Sequence, residues 1–371
     1  MSFSIHNTID NREDHFDMKD NRISESTKDT HKSGNISNNN VLKVYVTIDS
    51  IITKETILPS TAYIEGDQIS DTMYDSFVIT PSNNYLYDYK PIRMKEFVKS
   101  DWQNYINNVQ FAKGLNVDAI EEAVGETKTA LGRSDYKAGI FLSLLFPVRS
   151  VTSFGEIDGK DLDFSKLEDR IAGIKWMVDE QIRQFEARNY KHIEIAGFFW
   201  FYESIRIDED AEMLRAVTDY VRSLGHITIW GPFFKARGYD RWTECNFDKA
   251  SMQANYFPGQ TTLPNHGPVS RIMEMMTITK NNGMGIELEL SNHNPAGVTG
   301  FKQYIKTAVE QDRMDDYHFY WMRRNGTEYL CRSEDPYVRS AYNELYRFIK
   351  KTLKSSDMLI DESFLPDDDQ E

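Results

Sequence analysis

The sequence predicts a single α/β domain with the fold of a (β/α)8, or TIM, barrel, and two observations support that fold class. Short apolar runs rich in β-branched and aromatic residues alternate along the chain with longer segments of helical period. The runs are almost continuously apolar, which is typical of parallel strands that are buried on both faces. Eight strand–helix units of this kind close into a barrel.

The strand candidates number eight and extend over most of the chain. They are Thr61–Ile64, Ser76–Thr80, Ala138–Phe146, His192–Trp200, Ile227–Trp230, Ser251–Tyr256, Gly285–Leu290 and His318–Met322. Val41–Ile52 also has the sequence of a strand and is not among the eight. If Val41–Ile52 is the first barrel strand, the numbering of the strands near the N-terminus shifts by one.

The helices between these strands are indicated by apolar side chains at steps of three or four. The clearest example is residues 164–188, where one buried stripe runs the length of the segment. Gly225 and Gly283 follow two of the helices as expected C-caps. The shorter helical patterns cover residues 209–224, 268–281, 298–312 and 336–354.

The barrel is expected to cover residues 41–354, with a different composition at each end of the chain. Residues 1–40 are polar, with almost no aliphatic side chains, and are expected to be disordered. Residues 355–371 are expected to form an acidic tail, part of which could dock as a short arm. The apolar side chains of that arm are Met358, Leu359, Ile360, Phe364 and Leu365.

Composition and motifs exclude several classes of function. The chain has 43 basic and 58 acidic residues, so it lacks the basic footprint of a nucleic-acid-binding protein. Its two cysteines, Cys245 and Cys331, provide neither a disulfide framework nor a thiolate metal site. No run is apolar enough for a signal peptide or a membrane span, so the chain alone predicts no export. Phosphate-binding loops, HExxH and GxSxG are absent from the sequence, and no cofactor or metal is expected.

Two of the predicted strands carry glutamates at or near their carboxyl ends, where barrel enzymes carry out their chemistry. In GMGIELELS, from Gly283 to Ser291, Glu287 and Glu289 share one strand face while aliphatic side chains occupy the other. Both glutamates are therefore expected to point into the barrel. The alternative for such buried carboxylates is an inward-facing salt bridge to Lys or Arg.

The third glutamate, Glu203, follows the aromatic run of GFFWFYES, from Gly197 to Ser204. A carboxyl group against aromatic walls loses hydration, which suits it to donate a proton at neutral pH. Its alternative roles are to open the next loop or to pair with Arg206.

Glycoside hydrolysis needs one carboxylic acid and one carboxylate, and these glutamates follow the fourth strand and lie on the seventh. We expect Glu203 to be the general acid/base and Glu289 the nucleophile or base. Glu287 would be a supporting carboxylate or would exchange roles with Glu289. The layout resembles that of the large clan of retaining-glycosidase barrels, although Tyr202 stands where that clan usually has Asn.

Residues suited to binding a sugar surround the predicted carboxylates. Gln253 and Asn255 offer paired donors and acceptors on one face of the predicted sixth strand. Lys235 and Arg237 could bind an acidic substituent or pair with a glutamate. Flat apolar surfaces for sugar rings are predicted at Trp200, Tyr202, Trp230, Trp242, Tyr256 and Trp321, each with core or rim packing as its alternative.

Four runs together resemble a known bacterial family, the domain of unknown function 4855. They are GFFWFYESI, WGPFFKARGYDRW, NFDKASMQANYF and GMGIELEL, beginning at Gly197, Trp230, Asn246 and Gly283. The chain departs from the family pattern at Asn246, where Gly is expected, and at Ala254, where Pro is expected. The resemblance implies a glycosidase-type barrel, a carbohydrate ligand and proteins that are often exported, but it supplies no catalytic residues.

The favoured hypothesis is therefore a glycoside hydrolase-like enzyme that acts on an oligo- or polysaccharide. A second hypothesis is a carbohydrate-binding barrel without catalytic activity. A third is a metal-dependent hydrolase that uses Glu287, Glu289 and His293.

Overall fold

The protein is a closed barrel of eight parallel strands, as the sequence predicts. The structure is a computed structural model that describes residues 38–47, 51–89, 92–258 and 269–365. Each strand pairs with its two neighbours, and the last strand pairs with the first. In chain order the barrel strands are Asn40–Val46, Ser76–Pro81, Ala138–Leu144, Ile193–Trp200, Ile227–Trp230, Lys249–Met252, Gly285–Leu290 and His318–Met322.

The first barrel strand differs from the expected one. Asn40–Val46 takes this place, paired in parallel with both the second and the eighth strands. The prediction of Thr61–Ile64 as a barrel strand is wrong: Thr61 ends a helix, and Ala62–Glu65 forms an antiparallel hairpin with Gln68–Thr72. Because one run replaces the other, the count remains eight. Glu203 still follows the fourth strand, and Glu287 and Glu289 still lie on the seventh.

The sixth strand is shorter than expected at its carboxyl end. It covers Lys249–Met252, so Gln253 and Asn255 lie in the segment that leaves the barrel. Asn255 has a φ of 54°, in the left-handed region, where a strand cannot continue. Asparagine tolerates this conformation better than most residues.

Ten α-helices are described, and the five predicted from periodicity are confirmed to within three residues, except that the last one ends earlier, at Ile349. Helix α5, Leu167–Arg188, is capped by Asn189, which adopts a left-handed conformation in place of the more usual glycine. A π-helix, Tyr105–Gln110, follows helix α3, Lys99–Asn104, directly. The helices are α1 Lys54–Thr61, α2 Asn83–Leu86, α3 Lys99–Asn104, α4 Val117–Leu131, α5 Leu167–Arg188, α6 Asp208–Ser223, α7 Ser270–Asn281, α8 Pro295–Glu310, α9 Gly326–Arg332 and α10 Pro336–Ile349.

The two faces of the barrel strands have different environments. On the seventh strand Ile286, Leu288 and Leu290 are fully buried in the apolar core. Glu287 is opposite Phe319 in the strand register, and Glu289 is opposite Trp321. Because the Lys43 side chain from the first strand reaches Glu287, these two glutamates point into the barrel, as the alternation predicts.

Residues 355–365 follow the last helix and lie against the outside of the barrel. Phe364 packs on Tyr337 of α10 with ring centroids 5.4 Å apart, and Leu365 is buried. The carbonyl of Leu359 accepts a hydrogen bond from Lys302 of α8 at 3.1 Å. Of the segment predicted to be disordered, residues 1–40, residues 1–37 fall outside the described residues, as do residues 366–371 of the acidic tail. The prediction is wrong for residues 38–40, because Asn38 and Asn40 are buried and the first strand begins at Asn40. Within the described part of the chain, no helix combines the length and apolar character that crossing a bilayer requires.

Candidate active site

A buried ion pair lies inside the barrel below the predicted site. The Lys43 ammonium donates to both carboxylate oxygens of Glu287, at 2.8 and 2.9 Å, and both side chains are at most 2% exposed. The inward salt bridge considered as an alternative is therefore confirmed for Glu287. Lys43 comes from the first strand and Glu287 from the seventh, so the pair links two strands that both flank the eighth.

Aromatic rings enclose the Lys43 ammonium. The ring centroids of Phe199, Tyr45 and Phe319 lie 5.7, 5.8 and 5.9 Å from its nitrogen. Burial alone would lower the pKa of Lys43, but Glu287, with help from Tyr45 and Glu203, holds it above the ordinary value. The lysine is thus a fixed positive charge rather than a nucleophile.

Glu289 lies one step further toward the carboxyl end of the same strand and is also buried. Its Oε2 accepts a hydrogen bond from the backbone N–H of Asn255 at 2.7 Å and another from the hydroxyl of Tyr304. Burial, and then the charge of Glu287, raise the pKa of Glu289 to about 8, against the opposing effects of Tyr304, Asn255 and Lys43. In the free protein this carboxyl therefore holds its proton at neutral pH.

Tyr304 reaches Glu289 from outside the barrel, on α8. Its hydroxyl oxygen accepts a hydrogen bond from the backbone N–H of Tyr256 at 3.0 Å, so its own proton is available for Glu289. Gly300, one turn earlier, allows α8 to approach closely, because a Cβ there would lie 2.5 Å from Cγ of Pro258. Helix α8 thereby supports the segment that leaves the sixth strand.

Glu203 is half-buried in the segment after the fourth strand. Its Oε1 accepts a hydrogen bond of 2.6 Å from the Gln253 amide, which also donates to the carbonyl of Gly231 at 3.1 Å. Glu203 is close enough to Lys43, Tyr45 and Glu287 to perturb the pKa of each. Arg206, the predicted alternative partner, instead lies over the ring of Tyr202 at 5.4 Å.

One hydrogen-bond network joins Glu203 to Glu289. The side chain of Gln253 bonds to Glu203 and accepts from the amide of Asn255 at 2.9 Å. The backbone of Asn255 then donates to Glu289. Two carboxyl groups distant in the chain are thus held at one mouth of the barrel by the segment after the sixth strand.

The predicted aromatic surfaces divide into core and rim. Trp200, Trp230 and Tyr256 are at most 1% exposed, so core packing, the alternative considered for each, describes them. The indole of Trp230 donates to the carbonyl of Tyr202 at 2.9 Å. Tyr202 is half-buried and packs on Phe146 with ring centroids 4.4 Å apart.

Trp321 and Trp242 are both half-buried but lie at opposite ends of the barrel. Trp321 is in register with Glu289 and with Lys43 and packs on Phe257 at 5.2 Å. The indole of Trp242 donates to the carbonyl of Asn282 at 3.0 Å, just before the seventh strand begins. The structure therefore does not bring Trp242 to the carboxylates.

Lys235 and His293, considered as a substrate-binding residue and a metal ligand, both have partners within the protein. Lys235 forms an ion pair with Glu274, the glutamate pairing considered for it, and both side chains are half exposed. His293 stacks on Tyr329 at 4.4 Å, and its Nε2 lies 2.6 Å from the carbonyl oxygen of Arg323. No group of three His, Cys, Asp or Glu residues with metal-binding geometry occurs in the described ranges. The arrangement of Glu287, Glu289 and His293 thus does not support the metal-dependent alternative.

Sequence reasoning did not identify Lys43, Tyr45 or Tyr304 as site residues. Lys43 and Tyr45 alternate with aliphatic residues in the run that begins at Val41, which is a signal for inward-facing polar side chains. Tyr304 lies on the buried stripe of α8 and cannot be distinguished there from a core tyrosine.

A comparison with protein-family models gives a match to DUF4855, a domain of unknown function, over residues 42–347. The protein belongs to the DUF4855 family. The match includes the eight barrel strands, except for the first residues of the first strand. It also includes the ten helices, except for the last residues of α10. The DUF4855 domain of this chain is therefore a TIM barrel.

Solved structures similar to this DUF4855 chain include three glycoside hydrolases. A GH18 chitinase from Pseudoalteromonas aurantia is 11% identical, with a TM-score of 0.38 over 82% of this chain and 99% of that one. The GH18 chitinase ChiB of Flavobacterium johnsoniae is 10% identical, with a TM-score of 0.41 over 83% and 93%. A GH113 β-1,4-mannanase is 10% identical, with a TM-score of 0.39 over 83% and 98%. These values describe overall similarity and say nothing about chemistry. Among curated proteins there is no match.

Proposed function

We propose that this DUF4855 protein is a glycoside hydrolase that cleaves O-glycosidic bonds with Glu203 and Glu289. The observation that supports this most is the hydrogen-bond network that holds both carboxyl groups at the carboxyl-terminal mouth of the barrel. That mouth is where barrel enzymes bind substrates, and a pair of carboxyl groups is what glycoside hydrolysis requires.

The proposed roles follow from the positions of the two groups. Glu203 is half-buried, so it can exchange protons with solvent as the general acid/base does in each turnover. Glu289 is buried, and two donors hold its Oε2, which leaves Oε1 to attack the anomeric carbon or to activate a water. Glu203 gives its proton to the leaving oxygen as the glycosidic bond breaks.

The raised pKa of Glu289 favours a second assignment in which the roles are exchanged. A buried carboxyl that keeps its proton up to about pH 8 has the property of a proton donor. The pH dependence of kcat/KM separates the two assignments. If Glu289 acts as the carboxylate, kcat/KM rises as pH increases through about 8; if Glu289 is the proton donor, kcat/KM falls over the same interval.

Glu287 is proposed as a supporting carboxylate in either assignment. Its two hydrogen bonds from Lys43 occupy both oxygens, so it is not placed to donate a proton or to attack. Its charge instead raises the pKa of Glu289.

Trp321 and Tyr202 are the proposed surfaces for sugar rings. Both are half-buried aromatic residues, one in register with Glu289 and the other adjacent to Glu203 in the chain. Gln253 and Asn255 orient the carboxyl groups and border the same mouth, so an oligo- or polysaccharide is the proposed ligand.

A glycan array combined with a panel of chromogenic glycosides, applied to wild type and to Glu203→Gln, tests the proposal. Wild type is expected to release the chromophore from at least one glycoside, and the variant to bind the same glycan without cleaving it. Binding by both proteins with turnover by neither would instead identify a carbohydrate-binding barrel without catalysis.

A further inference from the structure

The arginines of this acidic chain differ sharply in whether they have a carboxylate partner. Many form ion pairs with Asp or Glu, including Arg149, Arg170, Arg183, Arg188, Arg215, Arg222, Arg241 and Arg347. Three exposed arginines, Arg206, Arg237 and Arg324, form no ion pair within the described ranges 38–47, 51–89, 92–258 and 269–365. All three follow the carboxyl ends of barrel strands, after the fourth, fifth and eighth strands respectively.

Arg206 and Arg237 lie on adjoining segments beside Glu203. The backbone N–H of Ile205 donates to the carbonyl of Arg237 at 2.8 Å, which holds the two segments together. The guanidinium of Arg206 lies over the ring of Tyr202, on the chain just before Glu203. Two positive charges are thus presented at one side of the proposed site.

The three acidic residues that follow Arg206 in sequence already have other cationic partners. Asp208 pairs with Arg241 at 3.0 Å. Glu209 pairs with Arg149 and Arg170 at 3.0 and 2.6 Å, and Asp210 pairs with Arg149 at 2.9 Å. Within the part of the chain that the structure describes, these three carboxylates therefore do not balance the charge of Arg206.

The opposite side of the mouth also carries positive charge. Arg323 and Arg324 follow the eighth strand, and after burial the charge of Arg324 lowers the pKa of Arg323. Burial, and then the charges of Arg324 and Arg323, also lower the pKa of His293. The Arg323 guanidinium binds the carbonyl of Ser291 and the side chain of Asn292, which are neutral acceptors.

Within the described ranges Arg206, Arg237 and Arg324 have no carboxylate partner, although the chain has a net charge of −15, so their guanidinium groups can bind an external anion. Guanidinium groups bind carboxylate and sulfate groups by paired hydrogen bonds, and a local positive field draws an anionic ligand to the site. We propose that the substrate of this DUF4855 protein is an anionic glycan, whose carboxylate or sulfate groups bind Arg206 and Arg237 beside Glu203, with Arg324 opposite. This inference rests on the proposed function for the position of the glycan.

Calorimetric titration with three oligosaccharides of equal length tests the inference: an oligouronate, a sulfated oligosaccharide and a neutral gluco-oligosaccharide. Binding of at least one anionic probe is expected to be about tenfold or more tighter than binding of the neutral probe. Raising the salt concentration from about 50 to about 500 mM is expected to weaken the anionic binding alone. The first two probes show whether carboxylate or sulfate is the group recognised.

The matched variants are Arg206→Ala/Arg237→Ala and the control Arg183→Ala/Arg347→Ala, which change the net charge equally. Arg183 and Arg347 lie in the last two turns of α5 and α10, toward the opposite end of the barrel. The first double variant is expected to lose about tenfold or more in affinity for the anionic probe, and the control to retain it. Arg206→Lys/Arg237→Lys, which keeps both charges, is expected to recover part of the loss.

Three results would overturn the inference: equal binding of neutral and anionic probes, no binding of either anionic probe, or unchanged binding after loss of both arginines. The proposed hydrolysis is tested separately in the same samples by analysis of the products. Anionic binding without cleavage retains the inference and rejects the hydrolase, whereas cleavage of a neutral glycan by all variants does the reverse.

Discussion

Three glutamates lie close together in this barrel, and their environments separate them. Glu287 is neutralised by Lys43, Glu289 is buried with two donors on one oxygen, and Glu203 is half-buried with one donor from Gln253. Identical side chains therefore differ in their hydrogen-bond partners and in their access to solvent. That difference is what a reaction with one acid and one carboxylate requires.

The Tyr304 hydroxyl is expected to lower the pKa of Glu289, since a hydrogen bond donated to a carboxylate favours its charged form. Tyr304→Phe removes that donor while Glu287, Lys43 and the N–H of Asn255 remain. The pKa of Glu289 should then rise further above about 8. Carboxyl-carbon NMR titration of protein labelled in glutamate, or the corresponding limb of the pH profile, measures this shift.

Tyr320→Phe is the control for that variant. The Tyr320 hydroxyl is equally buried but donates to Asn40 at 2.7 Å, on the outer face of the eighth strand. A pKa of Glu289 that moves equally in both variants, or in neither, would mean that Tyr304 does not position this carboxyl.

Among the secondary-structure elements, the first and seventh strands are linked by the ion pair between Lys43 and Glu287, although they are far apart in the sequence. Lys43→Met leaves Glu287 buried without its cation and is expected to lower the free energy of unfolding by about 3–5 kcal/mol. Lys43→Met combined with Glu287→Leu removes both charges and should recover most of that loss. Urea denaturation of the three proteins measures the difference, and a single variant as stable as wild type would show that the ion pair is not formed.

Helices and strands could be predicted from the sequence where the pattern depends only on residues that are close together in the chain. The stripe of α5 and the alternation of Glu287 and Glu289 with aliphatic residues depend only on neighbouring positions, and both are confirmed. The choice between Val41–Ile52 and Thr61–Ile64 for the first strand depends on pairing with the eighth strand, which is distant in sequence. A short β-rich run fits a hairpin as well as a barrel, so the pattern alone does not distinguish them.

Over the whole molecule, barrel closure creates the site. Glu203, Gln253, Glu289 and Tyr304 come from four segments of the chain, and only the circular strand order brings them together. The sequence predicts the glutamates because they end apolar runs. It does not predict Tyr304 or Lys43, because their roles depend on which buried group each one meets. The division of the aromatic residues between core and rim depends on tertiary packing in the same way.

The proposed catalytic pair is tested most directly by the kcat/KM of Glu203→Gln and Glu289→Gln on a glycoside that wild type cleaves. Glu194→Gln, at the beginning of the fourth strand, is the control. Each of the first two variants is expected to lose a hundredfold or more, about the contribution of a proton-transfer group or greater, while the control stays close to wild type. Full activity in both Glu203→Gln and Glu289→Gln, with the fold intact, would contradict the account.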